Sequence, residues 1–125
     1  MNREDFKIWM KLVSQSLEDK NPTAFAKLFS VDSIFYLSPF NPATNGREEI
    51  KSLAEKLFQD QSDFKFNYEI LFLEHNAGVC RWWCRYTGIH TENLVKFEGI
   101  FFCRFDKNKL CNSLNSWWNK EEEIS

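Results

Sequence analysis

Glycine is scarce in this chain, four in 125 residues, and none falls in a phosphate-cradling loop. Nucleotide binding of the G-x-G-x-x-G or G-x-x-x-x-G-K kind is thereby excluded. Histidine is scarcer: only His75 and His90, both beside turn-like stretches, so no Ser-His-Asp constellation can be assembled. No apolar run is long enough to span a bilayer, and the opening "MNREDFKIWMKL" lacks the continuous apolar stretch of a secretory signal. Sixteen Lys and Arg against eighteen Asp and Glu give a net charge of −2, with both signs spread along the chain. A protein that tracks phosphates needs a basic stripe, and there is none. The expectation is a cytoplasmic protein with no membrane and no nucleic-acid partner. The four cysteines, at 80, 84, 103 and 111, do not form the close pairs around turns that zinc requires. They read as buried apolar residues of a reducing compartment, with no metal and no cofactor.

Aromatic residues are abundant: thirteen Phe, five Trp and three Tyr. Each large ring buries about 150–250 Å², so a chain this short can fill a core and still have rings for a pocket. Length fits one domain, residues 1–125.

Phe6, Trp9, Met10, Val13 and Leu17 recur at helical spacing and predict a helix over 3–19. Asn21 then caps a short second helix with Pro22 at its first position. "SIFYLSPF", 33–40, reads as a strand, broken by Pro39 and Pro42. A third helix is predicted over 46–59, with Asn45 and Glu48 spaced as a capping box. From residue 64 the pattern is strand-like to 118: 64–74, 78–90, 94–105 and 110–118, divided by "HNAG", "HTEN" and "DKNK". Helices first and a meander after is an α+β arrangement, and a long twisted meander curls around the helices. The closing "KEEEIS" reads as a solvated tail.

Strand alternation sorts the rings by face. Cys80, Trp82, Cys84 and Tyr86 share one face, and Arg81, Trp83 and Arg85 the other. With a turn centred on Glu92 and Asn93, the set Phe97, Gly99, Phe101, Cys103 and Phe105 joins the first face. Leu110, Asn112, Leu114, Ser116 and Trp118 extend it. Bringing Phe64, Phe66, Tyr68, Ile70 and Phe72 to the same side requires a bulge. The outer face keeps Trp83, Ile100, Phe102 and Trp117, a patch suited to a second copy of the chain.

The opening amphipathic helix, "AFAKLFSVDSIFYLSPF", "NGREEI", "GVCRWWCRYTG", "FEGIFFCRFD" and "SLNSWWN", in this order, resemble the nuclear-transport-factor-2-like superfamily, and within it the SnoaL-like, polyketide cyclase-like domains. The resemblance implies a cystatin-like cone: a strongly curved antiparallel sheet wrapped around three N-terminal helices, with a cavity open at one end and dimers through the outer sheet face. Where similar ketosteroid isomerases carry two Asp and a Tyr, this chain matches Ser38, Phe101 and Val13. His90 loosely matches a His of the cyclases and is the one catalytic candidate; Glu98 is nearest to their acidic residue.

Trp82, Tyr86, Phe101 and Trp118 serve equally as pocket lining or solid core. Trp9 and Tyr36 are expected near the open end, Phe40 at its rim, and Ser38 and Asn112 as the polar groups that orient a ligand. The resulting reading is a pocket for a small, mostly apolar molecule, with isomerase, cyclase or hydratase chemistry left open. The alternative is a non-catalytic dimerisation or protein-interaction module using the outer sheet face.

Overall fold

The computed structural model describes residues 1–124. Three helices come early: α1 (Arg3–Glu18), α2 (Pro22–Ala26) and α3 (Gly46–Phe58). They accompany six strands: β1 (Phe29–Tyr36), β2 (Thr44–Asn45), β3 (Gln61–Glu74), β4 (Ala77–Gly88), β5 (Leu94–Phe105) and β6 (Cys111–Glu123). The strands form one sheet in the order β2-β1-β6-β5-β4-β3. The α+β arrangement is as read, with one topological addition. β1 runs parallel to β6, so the sheet is mixed, and the two-residue β2 pairs with β1 at its edge. No helix among the described residues is long and apolar enough to cross a membrane.

Local chemistry explains the helix starts. A reciprocal cap opens α1: the Asp5 N–H donates to Asn2 Oδ1 at 2.8 Å and the Asn2 N–H to Asp5 Oδ2 at 3.0 Å. Asn21 caps α2 through the Ala24 N–H at 3.0 Å, with Pro22 at the first position. The box expected at α3 does not form. The Asn45 side chain makes no cap bond, and the Asn45 N–H is taken by Glu49, not Glu48, at 3.1 Å. The guanidinium of Arg47 donates to the Phe29 carbonyl at 3.0 and 2.7 Å, tying α3 to the first strand.

β3, β4, β5 and β6 form the meander. The β4–β5 turn is centred two residues earlier than read, with Thr87 opposite Leu94 and Cys80 opposite Phe101. A shift of two preserves parity, so both apolar sets face the helices. The bulge that β3 needs is present between Ile70 and Phe72. It places Phe66, Tyr68 and Ile70 opposite Cys84, Trp82 and Cys80, and sends Phe72 outward, where it is 53% exposed. A second bulge, near Asn112, reverses the start of β6: Cys111 turns inward and Asn112 is exposed. Residues 120–123, read as tail, continue β6 opposite Phe97 to Leu94.

The core lies between the helices and this inner face. Phe6, Met10, Val13, Phe29, Ile50, Cys80, Cys103 and Cys111 are essentially inaccessible. Gly78 admits the Phe6 ring, which would lie 2.5 Å from a Cβ at that position. All four cysteines are free and buried. Burial pushes the Cys80 and Cys84 thiols up to about 12, and raises Cys103 well above its ordinary value, with its neighbours Cys111 and Cys80 adding to the effect.

Candidate functional site

Two rows of stacked rings cross the inner face of β3, β4 and β5. In the deeper row Phe66, Trp82 and Phe101 stack at centroid distances of 6.0 and 5.0 Å, with interplanar angles of 14° and 26°. In the outer row Phe64, Tyr86 and Phe97 stack at 6.0 and 6.2 Å, at 22° and 18°. Trp118 meets Phe97 edge-on at 5.1 Å and fixes its own indole by donating from Nε1 to the Leu37 carbonyl at 2.8 Å. Offset stacking of this kind adds about 0.5–1.5 kcal/mol per pair beyond area burial.

Burial is uneven over the interior, with Tyr68 and Phe101 half-buried and Val95, opposite Tyr86, sealed. At one end Phe6, Trp9, Phe105, Cys103 and Cys111 are closed off; at the other Phe64, Tyr86, Phe97 and Trp118 are all half-buried. The first end is the closed tip of the cone and the second its mouth. Trp82 is 7% exposed, and its indole N–H has no partner among the described residues.

Polar groups ring the mouth. Lys120 Nζ stands 6.0 Å from the Phe97 centroid and 3.3 Å from Glu122 Oε1. Asn93 Nδ2 donates to Glu122 Oε2 at 2.6 Å. These two partners hold the Glu122 carboxyl below its ordinary range. Asp60 Oδ1 accepts the backbone N–H of Ile89 at 3.1 Å and of His90 at 3.4 Å, pinning the β4–β5 turn. Burial, then the Cys84 thiol and the Asp60 and Glu122 carboxylates, raise the Tyr86 phenol. Tyr86 therefore presents an O–H donor, not a phenolate, to anything resting on its row. Among the described residues no three His, Cys, Asp or Glu side chains converge to hold a metal ion.

Of the residues singled out in the sequence, Trp82, Tyr86, Phe101 and Trp118 come together on this face. Ser38 and Phe40 share a depression with Trp118, and the remaining residues do not join the four. Trp9 belongs to the closed end, not the open one: its ring packs on Phe105 and Phe29, and its Nε1 donates to the Leu28 carbonyl at 3.0 Å. Tyr36 pairs with Asn115, placing it on the outer face, because its neighbour Phe35 takes the inner one beside Leu114. The first strand ends at Tyr36, so Ser38 and Phe40 lie in the loop beyond it; the Ser38 hydroxyl donates to Asn41 Oδ1 and the Phe40 ring is fully exposed. Asn112 is outside because of its bulge. His90 is exposed at the turn, where its backbone N–H donates to Asp60 Oδ1. Phe64, Phe97, Lys120 and Glu122 were not singled out. The signal for the last two was the alternation itself, since they continue the face of Ser116 and Trp118.

The large surface depressions lie elsewhere. One, about 740 Å³, spreads over the outer face between β3 and β6 and is lined by Lys65, Arg81, Trp83, Arg85, Lys96 and Glu98 among others. A second, about 700 Å³, runs from Phe40 to Ile100 and Trp117, and a third, about 600 Å³, lies around Phe72 and Phe102. None of these three depressions has Phe64 or Tyr86 in its lining.

Among solved structures, the epoxide hydrolase/cyclase-like enzyme SalBIII, of pyran ring formation in the polyether salinomycin, superposes with a TM-score of 0.84 at 8% identity, over 99% of this chain and 98% of that one. A protein from Catenulispora acidiphila with a ketosteroid isomerase-like fold, in complex with trimethylamine, gives 0.78 at 11%, over 87% and 83%. An NTF2-like protein of unknown function from an Exiguobacterium species gives 0.74 at 16%, over 92% and 98%. At these identities the likeness establishes the NTF2-like fold. No curated protein matches. The model of the SnoaL-like domain matches residues 11–112, most of the chain, and the chain therefore belongs to the SnoaL-like domain family.

Proposed function

We propose that this SnoaL-like domain binds a small, flat, mostly apolar molecule at the mouth of the cone, on the row Phe64–Tyr86–Phe97 with Trp118 as its side wall. The observation that carries this reading is a row of neighbouring rings left part-open: Phe64, Tyr86, Phe97 and Trp118 are all half-buried, whereas Phe66 and Trp82 beside them are buried. Leaving four large rings part-wet forgoes hydrophobic stabilisation of about 25 cal/mol per Å², which a bound apolar surface restores. Tyr86 O–H and Lys120 Nζ supply donors at the edge, suited to an acceptor oxygen on the ligand. Isomerase-, cyclase- or hydratase-type proton transfer would fall to Tyr86 as donor and the Glu122 carboxylate as acceptor, two of the titratable groups at the mouth. Cyclase chemistry in the SalBIII neighbour and trimethylamine in the Catenulispora one support a ligand-binding role for the fold. Four buried free thiols fit a reducing, cytoplasmic compartment.

The neutral fluorophore N-phenyl-1-naphthylamine tests the site. Its emission rises on binding to the native protein at micromolar concentration, and Tyr86→Ala or Phe97→Ala weakens the affinity about tenfold, while the outer-face change Phe102→Arg leaves it intact. Equal binding by all four proteins would place the apolar site elsewhere.

A second reading concerns the outer face, where Trp117 is 46% and Phe72 53% exposed beside half-buried Ile100 and Phe102. We propose that this patch seats a second copy of the chain. The dimer is compatible with a ligand at the mouth, and it alone would remain if the mouth proves inert.

A further inference from the structure

Register places three cations side by side on the outer face: Lys65 opposite Arg85, and Arg85 opposite Lys96, on β3, β4 and β5. Glu121 closes the row on β6. Directly opposed residues in antiparallel strands have Cα atoms about 5 Å apart, and like charges so placed destabilise a sheet. All three cations line the 740 Å³ groove of the outer face.

Most charges in the groove are already engaged. Arg81 binds Glu98 at 2.7 Å, Lys96 binds Glu123 at 3.2 Å, and Glu18 accepts the Phe66 N–H at 2.9 Å. Lys65 and Arg85 have no carboxylate within ion-pair distance among the described residues, so the repulsion between them is uncompensated. The row sits at the opposite end of the outer face from the apolar row Phe72–Val79–Phe102, with Trp83 of the groove wall lying between them.

We propose that this groove is a binding site for a small polyanion, one whose two or more negative charges are spaced like neighbouring strands and neutralise Lys65 and Arg85 together. Arg85 offers a bidentate fork and Lys65 a point charge. Glu98 and Glu121 bound the site and repel a longer polyanion, which favours a compact ligand over a nucleic acid. The site lies on the face of the sheet opposite the ring-paved mouth and does not depend on it.

The test uses thermal unfolding of the intact protein with inorganic pyrophosphate or citrate, against sodium chloride at matched ionic strength. Either anion at millimolar concentration is expected to raise Tm by several degrees over chloride. A shift with pyrophosphate alone assigns a phosphate ligand, and a shift with citrate alone a polycarboxylate. Arg85→Gln and, independently, Lys65→Gln abolish the shift, whereas the turn control Lys107→Gln keeps it. Without anion and at low salt, both groove variants melt at or above the native temperature, since a repulsion has been removed. No anion shift in the native protein, an undiminished shift in either groove variant, or a lower Tm for both variants without anion would each overturn the proposal. Binding of N-phenyl-1-naphthylamine is unchanged by Arg85→Gln, so this site and the mouth stand or fall separately.

Discussion

A few residues determine how tightly this molecule can close. The buried thiols are the clearest case. Cys80, Cys84 and Cys103 keep their protons in the fold far above the ordinary thiol value of 9.0, because burial penalises the thiolate. Their folded values are raised, so their contribution to stability is complete below pH 9 and is lost as pH climbs from 9 toward 12. Within that window the unfolded chain has released protons that the native one holds, and each thiol lowers stability by about 1.4 kcal/mol per pH unit. Denaturant titrations at pH 8, 9, 10 and 11 should show the decline, and Cys84→Ala should make it shallower. Scarce glycine leaves its mark at this scale too. Lys20, Asp63, His75, Glu92 and Lys109 all adopt positive φ, between 52° and 64°, in places where glycine is the usual choice.

Between elements, fit is set by backbone approach as much as by side chains. Gly99 lies where β5 presses against β6: a Cβ there would be 2.1 Å from the Trp117 carbonyl oxygen and 2.9 Å from the Trp118 Cβ. Backbone cannot swing aside as a flexible side chain can. Gly99→Ala is therefore expected to destabilise by about 1–3 kcal/mol and to shift the Trp fluorescence, since Trp118 is the wall of the mouth. Chemical denaturation checks the first effect and the emission maximum the second. Elements were the most legible part of the sequence. The helical period of Phe6 to Leu17, and Asn21 before Pro22, each carry a local cause that tertiary structure did not override. The facing of β4 and β5 was legible as well, because parity survives a turn misplaced by two. The bulge beside Asn112 was not: it turns on one extra residue, and both Leu110 and Cys111 are apolar enough to be the inward one. The cap at Asn45 misled because Glu48 and Glu49 are chemically identical and only the fold chooses between them. Of the site, the rings of β4, β5 and β6 could be read from alternation. The facing of Tyr36 could not, since the first strand begins and ends four residues earlier than its composition suggests.

For the molecule as a whole, the sheet has two unlike sides. The inner one is consumed by the helices and the ring rows; the outer one is open, with cations at one end and Phe72, Val79 and Phe102 at the other. A stable dimer needs about 800 Å² per partner, which the apolar end and the middle of this face would have to supply. Light scattering after size exclusion should report a dimer at micromolar concentration. Trp117→Glu paired with Phe102→Arg should give a monomer that keeps its far-ultraviolet dichroism; a native monomer would remove the outer-face reading and leave the mouth untouched.

The position of β6, between β1 and β5, bears on how the chain is made. An emerging polypeptide can form its helices and a three-strand hairpin stack early, yet both β1 and β5 keep a raw hydrogen-bonding edge until residues beyond 111 arrive to lie between them. Closure of the sheet is thus gated by its last strand in chain order, and a product stalled before that strand would carry two sticky borders, open to pairing with any stray extended segment.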